Sequence, residues 1–422
     1  MRLHVCLSEL ARTTRALASF VPDVHSSLLT MSDLPETMKA VVLKSTSEPL
    51  SIEILPTPKP FHGSAIVRIL TTGIIVCSTP ATSSQVKMLI ENTIQRYSRD
   101  LLNGNRRYPF STPLTPGYSA IGRIAAVGPD ATALKPGDLV FVDCTTRSRD
   151  EPGDIILAGV SSGFSAGSQQ LMDKVWRDWT WAEYCRAPLE NLTWLDEHRL
   201  TSRDHLGLNL SKLTYASTLL VPYGGMRDID LQAGETIIIA PATGPFGSAA
   251  VHVALAMGAQ VIAMGRDTSI LAHLAQTCSH PTRIKTVPIT NDVLVDLVAL
   301  EAASSREADA FFDIGPPEVS KSTHLRSAIM ALRQGGRVSL MGGYGEDMPL
   351  PHRVIMRKNL TLKGKWMYEP SDRRDFFKMV EAGLLDLGIC EVVGEYGLDD
   401  VLAAVDAAAE KSFLSKVVVL KP

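Results

Sequence analysis

The run Thr236–Arg266, TIIIAPATGPFGSAAVHVALAMGAQVIAMGR, constrains the fold more than any other part of this chain. The β-branched residues Thr236 to Ile239 lead into a Gly/Pro loop, small and apolar residues at helical spacing follow, and Gln260 to Met264 is a second apolar run. That order reads as strand, loop, helix, strand. Apart from His252, nothing from Thr236 to Gly265 has an ionisable side chain, and a window of that length suits a membrane span on hydropathy alone. Pro241, Gly244, Pro245, Gly247 and Gly258 interrupt it and both ends are strand-like, so a buried βαβ unit is the reading.

The loop spaces Ala242, Gly244 and Gly247 as A-x-G-x-x-G. Glycines there let backbone approach a pyrophosphate, and the helix N-terminus supplies N–H groups and a favourable dipole. Thr243, Gly244, Pro245, Phe246 and Gly247 are therefore the candidate dinucleotide cradle. The bland alternative is that the glycines only mark a tight turn and close helix packing. An NAD site usually has an acid at the tip of the second strand for the ribose diol, but here that strand ends Met264, Gly265, Arg266. A guanidinium pairs a 2′-phosphate in a bidentate way, which favours NADP(H). Asp267 reads instead as the cap of a helix from Thr268 to Gln276.

The 422 residues suffice for two domains, and a formal net charge of −3 leaves no basic footprint for nucleic acid. A small-molecule substrate is the expected partner, with no nucleic acid and no membrane, and a homodimer left open. The six cysteines are scattered without C-x-x-C or Cys/His clustering, which suits reduced thiols in an intracellular compartment. Residues 1–37 read as a disordered extension or a mis-set start. Arg2, Arg12 and Arg15 among Ser and Thr faintly resemble a transit peptide, so the expected location is cytoplasmic, or mitochondrial if residues 1–30 are such a signal.

From Met38, strand-like runs occupy Lys39–Lys44, Ser51–Leu55 and Ser64–Thr71, and Pro116-Gly117 and Pro136-Gly137-Asp138 are turns separating alternating strands at Ala120–Val127 and Leu139–Val142. With PLTPGYSAIGRIAAVGPDATALKPGDLVF (113–141), WAEYCRAP (181–188), LQAGETIIIAPATGPFG and GGRVSLMGG (335–343) in that order, the chain from Met38 to Pro422 resembles a medium-chain dehydrogenase/reductase. The resemblance implies an α/β protein in which a GroES-like, partly open β-barrel catalytic domain (38–222) faces a Rossmann doubly wound parallel sheet (223–365), with 366–422 returning to the barrel. It also implies a cleft between them for a carbonyl/alcohol pair or an activated alkene such as a quinone or enone. An enoyl reductase serving a larger pathway and a noncatalytic dinucleotide-binding regulator are the alternatives.

Zinc-dependent members carry a Cys soon after a Gly on the third strand and a His-Glu pair after the Gly of the P-G turn. Here those positions hold Ile75, Tyr118 and Ser119, and the four-cysteine structural zinc lobe is missing. The expectation is a zinc-independent member. The segment Val76–Gln95, VCSTPATSSQVKMLIENTIQ, interrupts the family pattern and reads as either a retained in-frame intron or a genuine surface insertion. With it removed, Tyr97 falls where zinc-containing relatives place the hydroxyl that relays the substrate proton, and Tyr118 stands at a former ligand position facing the same cleft. Both are candidate catalytic acids; the ordinary reading is packed aromatics, with water or a cofactor ribose hydroxyl supplying the proton.

Cys144–Trp181 reads as a cleft rim or an irregular excursion over the barrel, and Leu206–Leu220 as a helix leading into a crossing at VPYGG (221–225). Further strands are expected at Ala310–Asp313, Arg337–Met341, Leu360–Lys363 and Lys416–Leu420, with a helix at Thr323–Arg333. Open parallel sheets bind ligands at strand carboxyl ends, so Ile314 and Gly315, with Gly342 and Gly343, are the expected nicotinamide neighbours. His252, His273, His324 and His352 lack ligand spacing and read as structural or exposed.

Overall fold

The computed structural model describes residues 34–74, 101–104, 108–304, 307–411 and 414–422. Alternating apolar residues and P-G turns give the N-terminal half its strands: β1 (Thr37–Val42), β2 (Ser51–Pro56), β3 (Ser64–Ile74), β4 (Ala120–Val127), β5 (Leu139–Val142), β6 (Thr145–Arg147), β7 (Ile155–Leu157), β8 (Tyr184–Pro188) and β9 (Leu192–Trp194). β1 and β2 form a hairpin, as do β6 and β7. Gly122 in β4 is needed where β3 approaches, since a β-carbon there would lie 2.4 Å from Val67 Cγ1 and 2.7 Å from the Arg68 carbonyl oxygen.

The second half builds a parallel sheet from β10 (Thr236–Ala240), β11 (Gln260–Gly265), β12 (Ile284–Pro288), β13 (Ala308–Asp313), β14 (Leu332–Leu340) and β15 (Thr361–Gly364). Its order is β12-β11-β10-β13-β14-β15, every pairing parallel. This is the doubly wound order in which the chain reverses direction between β10 and β13, leaving a crevice at their carboxyl ends. The expected α/β class with a β-rich barrel and a Rossmann sheet is what the chain forms. The C-terminus crosses back: β16 (Glu391–Tyr396) and β17 (Lys416–Leu420) complete a sheet ordered β16-β17-β3-β4-β5-β9, with β8 also paired to β3.

Two expectations need correcting. The helix expected over Leu206–Leu220 does not end before VPYGG, because one helix runs from Ala216 to Asp228 through Pro222. Its glycines serve packing: a β-carbon on Gly224 would lie 2.4 Å from Tyr368 Cβ, and one on Gly225 2.4 Å from Met341 Sδ and 2.7 Å from Phe312 Cε2. The helix expected over Thr323–Arg333 stops at Met330, and β14 begins at Leu332. Trp176, Trp179 and Trp181 are buried in the barrel core, so this part of the excursion is packing and not rim.

A buried ion pair ties the returning segment to the barrel. Arg373 bonds Asp143 Oδ2 and donates through Nε to Thr193 Oγ1 at 2.7 Å, while the Tyr368 hydroxyl donates to Asp143 Oδ1 at 2.7 Å. Burial and the adjacent carboxylate push the Tyr368 phenol far above its ordinary pKa, so it stays a donor. Among the described residues, no helix is long and apolar enough to cross a membrane.

Candidate functional site

The crevice is built around the loop between β10 and the helix Pro245–Ala256. Gly244 is that helix's N-cap, with φ −84° and ψ 170°, and no side chain caps the first turn. The N–H groups of Phe246 and Gly247 therefore lack helical acceptors and face outward from the helix end. The glycines have separate tasks. A β-carbon on Gly244 would meet nothing within 4 Å, whereas one on Gly247 would sit 2.0 Å from the Pro241 carbonyl oxygen. Gly244 leaves an open approach for a diphosphate, and Gly247 lets the helix close onto the loop.

The same loop crosses the tip of β11. Ala242 N–H donates to the Met264 carbonyl at 2.6 Å, and Thr243 is brought over Gly265, where a β-carbon would lie 2.5 Å from Thr243 Cγ2. Arg266 follows immediately and is exposed, and no described residue hydrogen-bonds or ion-pairs with its guanidinium. Asp267 caps the helix Thr268–Thr277, its Oδ1 accepting from Ser269 N–H at 2.9 Å and Ile270 N–H at 3.0 Å. The Ser269 hydroxyl and these N–H groups hold the Asp267 carboxyl below the ordinary carboxylate range. The tip thus offers an unengaged cation and an acid already in use.

On the other side of β10, Ile314 N–H donates to the Ala240 carbonyl at 3.2 Å, Met341 N–H to the Asp313 carbonyl at 3.0 Å, and Gly343 N–H to the Gly315 carbonyl at 2.9 Å. These bonds bring Ile314, Gly315, Gly342 and Gly343 to the same sheet edge as the cradle. Sequence reasoning missed the group behind them. Asp313 and His324 are 1% and 0% exposed, and Asp313 Oδ1 accepts from the Tyr344 hydroxyl at 2.6 Å and lies 3.3 Å from His324 Nε2. His324 Nδ1 lies 2.8 Å from Ser322 Oγ. The one available signal was an aspartate closing a strand directly before Ile-Gly-Pro.

A cavity between barrel and Rossmann sheet is lined in part by Gly73, Ile74, Thr214, Ser217, Thr218 and Pro245. The end of β3 thereby faces the first residue of the cradle helix. Tyr97 and Ile75 lie outside the described residues. Tyr118, expected to face the cleft, is instead 3% exposed within the barrel's apolar cluster, its ring edge-on to Trp181 at 6.1 Å, and it does not line that cavity.

The zinc question turns on the same spot. Ser119 Oγ accepts from Cys144 N–H at 3.2 Å and contacts its sulfur at 3.5 Å, and burial pushes the Cys144 thiol up to about 12. A lone cysteine beside a tyrosine and a serine is not a zinc donor set. No three His, Cys, Asp or Glu side chains gather as a metal site among the described residues. These residues do not fit the metal.

Residues 245–382 match the family model described as zinc-binding dehydrogenase, and residues 85–197 the alcohol dehydrogenase GroES-like domain. The L-threonine 3-dehydrogenase of Streptomyces avermitilis is 24% identical over 379 residues, covering 88% of this chain and 96% of that protein. A Sinorhizobium meliloti 1021 structure described as a zinc-binding dehydrogenase bound to NADP superposes with TM-score 0.67 at 18% identity, covering 92% of this chain and 100% of that one. Acetophenone reductase of Geotrichum candidum in complex with NAD gives TM-score 0.65 at 17% identity, covering 92% and 98%. The two family matches fall in the order that the barrel and the Rossmann sheet require, and together they span more than half of the chain. The chain belongs to the alcohol dehydrogenase-type medium-chain dehydrogenase/reductase family.

Proposed function

We propose that this chain is an NADP(H)-dependent oxidoreductase that works without zinc on a small carbonyl/alcohol pair or an activated alkene. The observation that carries the reading is the open approach at Gly244 beside an exposed, unengaged Arg266. Phe246 and Gly247 N–H groups hold the diphosphate, Arg266 pairs the 2′-phosphate, and the 313–316 and 341–344 turns flank the nicotinamide. The cofactor, when bound, supplies or accepts hydride. The chain's own part is to hold that ring at the sheet edge, between the cradle and the 313–316 and 341–344 turns. Because Tyr118 is enclosed by the barrel core, the proton is assigned to solvent or a cofactor ribose hydroxyl, with Tyr97 as the remaining side-chain donor.

The test is binding followed by turnover. Wild-type protein is titrated with NADPH and NADH, then screened for NADPH oxidation against aldehydes, quinones and enones. Arg266→Ala is expected to weaken NADPH by roughly 10- to 150-fold, the loss of one charge-assisted contact of about 1.5–3 kcal/mol, with NADH barely affected. Equal loss for both cofactors would remove Arg266 as the phosphate reader. Tight NADPH binding without turnover on any member of the panel would instead identify a noncatalytic dinucleotide-binding regulator.

A further inference from the structure

Asp313 closes β13 at the switch-point edge, on the side of the cradle away from β11 and Arg266. Its carboxylate is 1% exposed, and no Lys or Arg pairs with it among the described residues. Oδ1 accepts from the Tyr344 hydroxyl at 2.6 Å, with the Gly315 N–H at 3.4 Å. Oδ2 is buried and accepts nothing from the described residues. A buried carboxylate oxygen without a donor is costly, and proteins keep such groups where a ligand completes them.

What covers this oxygen is the phenol of Tyr344. A β-carbon on Gly342 would lie 2.5 Å from Asp313 Oδ2 and 2.6 Å from Tyr344 Cε2, and one on Gly315 would lie 2.2 Å from the Tyr344 oxygen. The ring therefore rests on the same two glycines that the fold presents to a nicotinamide. Gly343 and Gly345 on either side are exposed, and Gly343 N–H is held on the Gly315 carbonyl at 2.9 Å. The hydroxyl is the anchor, through Asp313 and through His324 Nε2 at 3.0 Å.

We propose that Asp313 binds the ribose diol on the nicotinamide side of the dinucleotide, and that Tyr344 is a latch whose hydroxyl holds that place until the cofactor displaces it. The inference rests on the dinucleotide reading above and adds a residue pair to it. A vicinal diol offers two donors to one carboxylate, one for the empty Oδ2 and one for the position on Oδ1 that the phenol vacates. His324, fixed by Ser322, is a positioning residue that keeps Oδ1 turned toward the crevice. Since NADH and NADPH share this ribose, Asp313 acts on both alike, unlike Arg266.

The experiment titrates the full chain and two variants with NADPH, NADH and adenosine 2′,5′-bisphosphate, which lacks the nicotinamide half. Tyr344→Phe removes the hydroxyl and keeps the ring, and is expected to tighten NADPH and NADH together by about 3- to 10-fold. Asp313→Asn is expected to weaken both by about 10-fold or more, and the bisphosphate should bind all three proteins alike. Thermal melts separate folding damage from loss of binding. Unchanged or weakened dinucleotide affinity in Tyr344→Phe overturns the latch while leaving the functional reading intact. Failure of the wild type to bind either dinucleotide would overturn both.

Discussion

Two glycine substitutions separate a dinucleotide cradle from a tight turn. Gly244 has φ −84° and ψ 170°, a conformation any residue adopts, and a β-carbon there would meet no atom within 4 Å. Gly244→Ala should therefore cost no more than about 1 kcal/mol, the difference between glycine and alanine at an N-cap. If a diphosphate must approach this backbone, the added methyl stands in its way. NADPH and NADH should both weaken by about 10-fold or more, which is roughly 1.4 kcal/mol. Gly247→Ala is the opposite case. Its β-carbon would lie 2.0 Å from Pro241 O, 2.9 Å from Ala242 Cα and 3.0 Å from Pro241 C, all backbone atoms with nowhere to swing. The overpacking cost, about 1–3 kcal/mol and here toward its upper end, exceeds the ~0.5–1 kcal/mol that alanine gains over glycine inside a helix. A net loss of about 1–2 kcal/mol lowers Tm by roughly 2–8 °C. Scanning fluorimetry reads the melts and cofactor fluorescence the affinities. Wild-type affinity for both cofactors in Gly244→Ala would show that the loop is only a turn, and the cradle assignment would fall.

Elemental analysis of the purified protein should find zinc well below one per chain, and chelators should leave activity intact; stoichiometric zinc would overturn the reading of Tyr118, Ser119 and Cys144. Tyr118→Phe should keep turnover within about 3-fold, because the ring belongs to the barrel core, while a loss near 10²-fold would restore it as the proton donor. The third test is of pH. His252, buried on the cradle helix with Nε2 3.4 Å from Ser415 Oγ, has its pKa lowered to about 4 by burial. The folded state then stays neutral where the unfolded chain, with an ordinary value near ~6.5, takes up a proton. Stability is full above about pH 6.5 and falls as pH drops toward 4, by up to about 1.4 kcal/mol per unit and about 3 kcal/mol in all. His252→Gln should flatten melting temperature against pH across that window, and an unchanged slope would show that another group carries it.

What the sequence disclosed was whatever short-range chemistry decides. Strands β4 and β5 were bounded by P-G turns, Asp267 stood one place before its helix, and the Ala242–Gly247 spacing placed the cradle because loop and helix are contiguous. Where contact with a distant segment decides, local signals misled. The helix reading stopped at Leu220, ahead of Pro222, Gly224 and Gly225, yet the helix continues, and the glycines are there because Tyr368, Met341 and Phe312 press against them. Strand β12 and the helix Val293–Ala303 went unread, since IKTVP is short with Lys285, Thr286 and Pro288 exposed and the helix shows Leu294, Val295 and Val298 to solvent.

The site divides along the same line. Arg266 is legible because its role depends only on lying next to a strand end. Asp313, His324 and Tyr344 are not, because their relation exists only once β13, the helix His324–Met330 and the turn after β14 have met at one sheet edge. Tyr118 is also placed by a distant contact. Its position after Gly117 marked it as facing the cleft, but a phenol is bulkier than the single imidazole it stands for. Trp181, from a strand-flanking segment more than sixty residues on, closes over it at 6.1 Å and makes it core. A position without a metal-binding side chain need not keep a reactive one. It is free to become packing, while on the Rossmann side one oxygen of a buried carboxylate, Asp313 Oδ2, still lacks a donor among the described residues.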